Sequence, residues 1–335
     1  MSRAVVGDQL GPIENYTLRE QEPRPLQSGD VRIAIRAVGV SYVDVLVAAG
    51  RYQVKPPTPF TPGSECAGIV TAVGSEVSGL AIGQAVIATG WHGMFAECAT
   101  VPASAVWPKP ENLSFAEGSV LNVSYTTVWH ALVDRGQLQR GESLLVLGAG
   151  GATGYAAVQA GAYLGARVIA SASSLPKRTL ALKGGAQAVV DSTSPHWREE
   201  VKAANAGKAI DVVFDAVGGE FTQRAFRTLG WNGRHLVVGF PAGIASLPTN
   251  LPLLKSAALI GVNVAQLGTA DARRARDNCV RILDLATQNI FKPAIATSYP
   301  LEQFAQAMAA ASRGDGAGRV VITMESTRDA AQAHQ

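Results

Sequence analysis

Residues 144–171 read LLVLGAGGATGYAAVQAGAYLGARVIAS. An apolar run (LLVLG, 144–148) enters a glycine turn, a helix of small residues follows, and a second apolar run (RVIAS, 167–171) closes the unit. Strand, turn, helix and strand over this length predict a crossover between parallel strands. Ala149, Gly151 and Gly154 form A-x-G-x-x-G, the dinucleotide fingerprint with alanine in its first place. A small first residue permits the tight turn, Gly151 lets the backbone approach a pyrophosphate, and Gly154 lets the helix lie close on the sheet. The helix start offers free N–H groups and a positive dipole end to phosphate. Ala149, Gly150, Gly151, Ala152, Thr153 and Gly154 are therefore the expected phosphate-side residues. Gly154, Ala157, Val158 and Gly161 share one helical face, as close packing requires.

Downstream the same rhythm continues through AVVD (188–191), IDVVFDAV (210–217), RHLVVGF (234–240) and ALIGVNV (258–264), spaced by helix-length segments. This predicts an α/β fold with a doubly wound parallel sheet. Upstream the chain is β-rich: Val31–Val40 alternates and then runs apolar, as does Gly68–Val73. Turn residues such as Ser28-Gly29-Asp30 and Thr61-Pro62-Gly63 punctuate it at short intervals, which suggests a barrel-like unit. The alternating pattern stops near residue 268. A polar helix-like stretch (Asp271–Gln288), an amphipathic helix near Leu301–Ala311 and a last apolar strand (Arg319–Met324) follow. The expected layout is 1–120, a first part of a β-rich domain; 121–268, the nucleotide-binding domain; 269–325, a segment returning to the first; and 326–335, a flexible tail.

The chain's 335 residues suit two domains, and 47% hydrophobic with 16% charged residues describes a packed globular protein. A net charge of +3 without basic runs gives no support for nucleic acid as a partner. Cys66, Cys98 and Cys279 are isolated and lack metal-ligand spacing, which points to a reducing compartment. The 24 uncharged residues Ser143–Ala166 contain six glycines and the turn above, so they are read as strand and helix rather than as a membrane span. The opening MSRAVVGDQLGP has no signal-peptide pattern, and the expected location is cytoplasmic.

Cofactor choice turns on the end of the second strand. A site preferring NAD places a carboxylate there for the ribose 2′-hydroxyl. Here the segment runs Ser171-Ala-Ser173-Ser174-Leu-Pro-Lys177-Arg178, with hydroxyls and two cations suited to a 2′-phosphate. NADPH is the expected cofactor, although Lys177 and Arg178 also fit a solvated helix face.

At this point the chain resembles the zinc-independent quinone oxidoreductase branch of the medium-chain dehydrogenase/reductase superfamily. The likeness runs from about Ala4 to Met324. It is carried by Gly39-Val-Ser-Tyr-Val-Asp44, Gly50-Arg-Tyr52, Pro59-Phe-Thr-Pro-Gly-Ser-Glu65, Cys66-Ala-Gly-Ile-Val70, Gly93-Met-Phe-Ala-Glu97, Tyr125-Thr-Thr127, the AGGATG turn, Asp215-Ala-Val-Gly-Gly219 and Gly314-Asp-Gly-Ala-Gly-Arg319. The resemblance implies a GroES-like catalytic domain, built from the N-terminal third and the C-terminal segment, around a Rossmann domain. It also implies a homodimer paired through the apolar strand at Ala258–Val264.

The resemblance places Ser41 and Ser64 where zinc-dependent relatives carry metal ligands, and a serine hydroxyl is a poor zinc ligand. What it implies instead is hydride transfer from NADPH to a quinone or an α,β-unsaturated carbonyl or enoyl thioester, with no metal. The catalytic residues it implies are Tyr52, Ser41 and Thr127, and Thr127 would face the nicotinamide end of the cofactor. Val217, Val238-Gly239-Phe240 and Val262-Asn263 would line its ribose and ring, and Arg319 would reach it. Tyr52 aligns with a proton-donating tyrosine of enoyl-thioester reductases; a phenol, with a pKa of about 10 in water, stays protonated at neutral pH. A pocket wall is the other reading of Tyr52, and Asp44 is read as shaping its loop. Several positions depart from the family: Ser41 replaces a common asparagine, Ser192 a common tyrosine at the 2′-phosphate, and Ala152 a common glycine. His92, in a glycine-rich loop, is a candidate for touching substrate. A non-catalytic NADPH-binding protein and, more distantly, a zinc alcohol dehydrogenase stay open as alternatives.

Overall fold

The computed structural model describes residues 1–324. The expected tail at 326–335 lies outside the described residues. The chain divides into two compact units, Met1–Val123 with the chain from Ile295 onward, and Ser124–Ala294.

The first unit begins with the antiparallel pair β1 (Ser2–Val6) and β2 (Thr17–Gln21). Next come β3 (Asp30–Val40), α1 (Tyr42–Ala48), β4 (Glu65–Val73), β5 (Ala85–Thr89), β6 (Cys98–Pro102), β7 (Val106–Pro108) and the short α2 (Phe115–Gly118). The alternation read from Val31–Val40 puts Val31, Ile33 and Ile35 inward, where they pack with Val70, Val86 and Phe95 in the core.

α3 (Asn122–Trp129) spans the division into the second unit. There β8 (Ser143–Leu147), α4 (Ala152–Tyr163), β9 (Arg167–Ala172), α5 (Leu175–Lys183), β10 (Ala188–Asp191) and α6 (Trp197–Ala204) make one half. The other half is β11 (Ile210–Asp215), α7 (Glu220–Phe226), β12 (Leu229–Val237), α8 (Asn250–Lys255) and β13 (Ala258–Gly261). The strands are parallel in the order β10-β9-β8-β11-β12-β13, so the connections run outward in opposite directions from the junction of β8 and β11. All five residues of β8 are buried, as a central parallel strand covered on both faces requires. The uncharged stretch at 143–166 is therefore β8, its turn and α4. No helix of the described residues is long and apolar enough to cross a membrane.

After α9 (Val264–Ala270) and α10 (Ala272–Thr287), the chain returns to the first unit at Ile295. This is later than the residue 269 expected from the sequence. The polar stretch hides an apolar stripe: Ile282, Leu285 and Ala286 of α10 are buried. Arg274 and Asn278 bond Asp134, and Arg281 bonds Tyr163, all within the second unit. β14 (Ile295–Pro300), α11 (Phe304–Arg313) and β15 (Arg319–Thr323) then complete the first unit's larger sheet, with β15 antiparallel to β3.

Candidate active site

In the second unit, β8 ends at Gly148 in a left-handed conformation (φ 67°), and the Gly151 amide closes the turn on the Gly148 carbonyl at 3.0 Å. Gly151 is the N-cap of α4, so the first amides of a 12-residue helix face outward from the carboxyl end of the strand. The glycines have different reasons. A Cβ on Gly154 would stand 2.1 Å from the Gly148 carbonyl oxygen, a backbone clash that fixes helix against turn. A Cβ on Gly151 would meet nothing closer than 3.5 Å. The protein itself does not require glycine there, so the open backbone is a cradle that a Cβ would fill from the ligand side. This fits a pyrophosphate. The stem of Lys177 lies across Gly150, its Cβ only 2.3 Å from where a Gly150 Cβ would stand.

The residues expected at a 2′-phosphate are distributed unevenly. Ser173 is exposed, and Ser174, Lys177 and Ser192 are half-buried around the ends of β9 and β10. Ser171 does not belong with them. It is 1% exposed, and its hydroxyl accepts a hydrogen bond from the Trp197 indole at 2.9 Å. Arg178 is half-buried and ion-paired with Asp191 at 2.8 Å, and it also donates to the Ala172 carbonyl. Asp191 is held below the usual carboxylate range, first by the Thr193 hydroxyl, then by the Thr193 amide, with Arg178 also contributing.

The next strand ends are organised by Asp215, which is fully buried. One carboxylate oxygen accepts the amides of Val217 and Gly218 at 3.0 and 2.8 Å; the other accepts Thr222 and bonds His235 at 2.6 and 2.9 Å. Burial works to raise its pKa, but His235, Thr222 and the Gly218 amide hold it below the ordinary value. The Asp215 carbonyl in turn accepts the amides of Val238 and Gly239. The clamp sets Val217 against Gly148 and leaves Phe240 exposed at the end of β12. Val262 donates its amide to Val237, and the Asn263 side chain caps α9 through the Gln266 amide at 3.0 Å. Asn263 is thus engaged as a helix cap.

In the first unit, Ser41 is the N-cap of α1 and forms a reciprocal capping box with Asp44. Its hydroxyl donates to the Asp44 carboxylate at 2.6 Å and accepts the Asp44 amide at 2.9 Å. Ser64 bonds the same carboxylate. With 5% exposure, Ser41 holds the loop, and the catalytic part expected of it has no support here. Beside it, Glu65 accepts the Arg319 guanidinium at 2.8 Å and the Val123 amide at 3.1 Å. Arg319 is therefore spoken for by Glu65, although its buried Nε has no hydrogen-bond partner among the described residues. Burial pushes Glu65 up to about 7 against the opposing charge of Arg319, and burial likewise raises Asp44. Tyr52 follows α1, half-buried against the core, and its hydroxyl makes no hydrogen bond among the described residues. His92 is exposed, with its ring edge-on to Phe60 at 5.6 Å. Thr127 lies half-buried on α3. Among the described residues, no group of three His, Cys, Asp or Glu side chains could hold a metal ion.

The reading of the sequence missed Glu65 and Asp191 as partners of the two arginines it singled out. The signal for the first was present: Glu65 and Arg319 each open an otherwise apolar strand, and a charge entering a core needs an opposite one.

The chain matches the alcohol dehydrogenase GroES-like domain over residues 27–111 and the zinc-binding dehydrogenase family over residues 152–281. Quinone oxidoreductase-like protein 2 of Rattus norvegicus is 34% identical over 312 residues, 92% of this chain and 89% of the relative. Quinone oxidoreductase of Mus musculus is 30% identical over 330 residues, 97% of this chain and 98% of the relative. The crystal structure of a probable oxidoreductase from Mycobacterium abscessus superposes with a TM-score of 0.86 at 31% identity, covering 96% of this chain and 99% of that one. The chain belongs to the medium-chain dehydrogenase/reductase superfamily, among the quinone oxidoreductase-like proteins, with a GroES-like and a Rossmann-type domain.

Proposed function

We propose that this protein is a zinc-independent, NADPH-dependent reductase of conjugated carbonyl compounds, either quinones or α,β-unsaturated carbonyls. The observation that carries the reading is the cradle at Gly151, bare for no reason internal to the protein, at the mouth of a helix at the sheet's switch point. NADPH bound there supplies hydride to the acceptor carbon. The turn from Gly148 to Gly154 binds the pyrophosphate through its amides. Lys177, Ser173, Ser174 and Ser192 bind the 2′-phosphate, with Arg178 neutralising Asp191 beside them. Zinc independence rests on the donor set. Ser41 and Ser64 offer hydroxyls where zinc-dependent relatives have ligands, and both are committed to Asp44.

Hydride addition to a conjugated alkene leaves an enolate that needs a proton at carbon. Tyr52 supplies it, its hydroxyl being unclaimed among the described residues. In Tyr52→Phe, enone turnover with NADPH is expected to fall about 100-fold while NADPH affinity is unchanged. Quinone turnover is expected to survive, because a reduced quinone takes its protons at oxygen from water. Undiminished enone turnover in Tyr52→Phe would make the residue a wall.

Lys177→Ala is expected to weaken NADPH about tenfold and NADH little, the size of one charge-assisted hydrogen bond. Initial rates against both cofactors read this directly, and a wild-type preference for NADH would overturn the cofactor assignment. Among the described residues β13 pairs with β12 alone and carries Leu259 at 47% exposure, so the same reading places a two-fold partner along its open edge. Light scattering at micromolar concentration is expected to give twice the chain mass of 34.9 kDa.

A further inference from the structure

We propose that the second unit carries a separate site for a small organic polyanion bearing two or more phosphoryl groups, in a cavity at the sheet edge opposite the glycine turn. The cavity has a volume of about 410 Å³ and is lined by Arg198, Lys202, Lys208, Arg227 and Lys255, with Glu199 the one carboxylate among its lining residues. It opens at the amino ends of β11 and β12, where Ile210 and Leu229 begin, whereas the turn sits at the carboxyl end of β8. A strand of six residues separates those edges by about 20 Å.

The cations are unspent. Among the described residues none of the five side chains forms an ion pair, whereas other arginines of the same unit, such as Arg178 with Asp191 and Arg234 with Glu142, do. Lys255 donates to the Leu229 carbonyl. Its pKa is held below the usual lysine value, first by burial and then by the charges of Arg198 and Arg227. Mutual repulsion at one concavity is a cost that a bound anion removes.

Complementing helix dipoles is the plain alternative. It suits Lys202 and Lys255, in the last turns of α6 and α8, and Arg227, the C-cap of α7. It does not account for Arg198, which sits in the first turn of α6, where a cation is disfavoured. Nor does it account for Lys208, which lies in a loop, or for the convergence of all five. The floor is apolar: Val201, Ile210 and Leu229 are buried beneath the charges. An apolar floor with a cationic rim suits a phosphorylated compound with an organic body, and the volume lies in the range of small-ligand pockets.

The test is calorimetric titration of the full chain with inorganic tripolyphosphate at low ionic strength. Three proteins are compared: wild type, Lys202→Gln/Arg227→Gln, and Gly151→Asp. The first variant changes only exposed side chains; the second places a carboxylate in the turn, where a Cβ has room. One equivalent is expected to bind wild type and Gly151→Asp alike. The double variant is expected to bind about 100-fold more weakly, tenfold for each charge-assisted contact removed, with its melting temperature unchanged. Absence of binding to wild type at millimolar probe overturns the proposal. So does binding lost in Gly151→Asp but kept in the double variant, which assigns the probe to the glycine turn.

Discussion

Gly154→Ala is expected to abolish NADPH binding and to lower the melting temperature of the second unit, whereas Gly151→Ala leaves the fold intact and weakens only the cofactor. The two residues lie three apart in one motif, yet their surroundings differ in kind. A Cβ at 154 would meet the Gly148 oxygen at 2.1 Å, the Gly148 carbonyl carbon at 2.7 Å and the Ala149 Cα at 2.9 Å. All three are backbone atoms of the turn, so none can rotate aside. Relief requires α4 to lift from the sheet, which also uncouples Gly161 from Leu144 and Val168, the side chains against which it packs. Overpacking of this kind costs about 1–3 kcal/mol, and it displaces the helix amides on which phosphate binding depends. At 151 the backbone (φ −83°, ψ 168°) is open to any residue, and the nearest atom to a Cβ is 3.5 Å away. Alanine there folds, but its methyl occupies the space through which a pyrophosphate would reach the amides. Melting curves and NADPH titrations of both variants separate the cases. If Gly151→Ala binds NADPH as wild type does, the pyrophosphate does not lie at this turn; if Gly154→Ala melts as wild type does, the close approach is tolerated.

This motif was the most legible part of the sequence because its glycines answer to local geometry alone. Strand, turn and helix at 143–163 depend on neighbours in the chain, and the same holds for the parallel strands that follow. Legibility falls where a residue's role depends on a distant partner. Ser171 looks like a cofactor hydroxyl until Trp197, brought beside β9 by α6, claims it. Arg178 looks like an open phosphate ligand until the parallel register of β9 and β10 sets Asp191 opposite Ala172, within reach of its guanidinium. Asn263 and Ser41 are polar residues at chain bends whose side chains satisfy helix amides, a use that their identity alone does not distinguish from ligand binding. The domain return was placed early for a related reason: α10 is polar overall, and its buried stripe is narrow.

Arg319→Met is the substitution expected to make stability most sensitive to pH. Arg319 opens β15 and Glu65 opens β4, 254 residues apart in sequence, and they meet because both strands pair with β3. Burial raises Glu65 from 4.5 to about 7, even with Arg319 opposing it and Asp44 adding to the rise. A folded-state pKa above the unfolded one contributes stability that is fully present below about pH 4.5 and is lost as pH climbs to about 7. Above that, the fold must hold an ionised carboxylate, and Arg319 is its counter-charge. Without the guanidinium, Glu65 moves further up, Asp44 moves the same way, and the loss continues past pH 7 instead of levelling off. Stranding a buried charge costs about 3–5 kcal/mol, but protonation of Glu65 evades it in acid. The variant should therefore melt close to wild type near pH 5.5 and several degrees below it at pH 8.5, with the gap widening by up to about 1.4 kcal/mol per pH unit. Glu65→Gln in the same chain removes the stranded charge and is expected to recover most of the loss at pH 8.5. An equal drop at both pH values, unrelieved by the second substitution, would mean that Arg319 stabilises the sheet by packing and that the charge of Glu65 is balanced elsewhere.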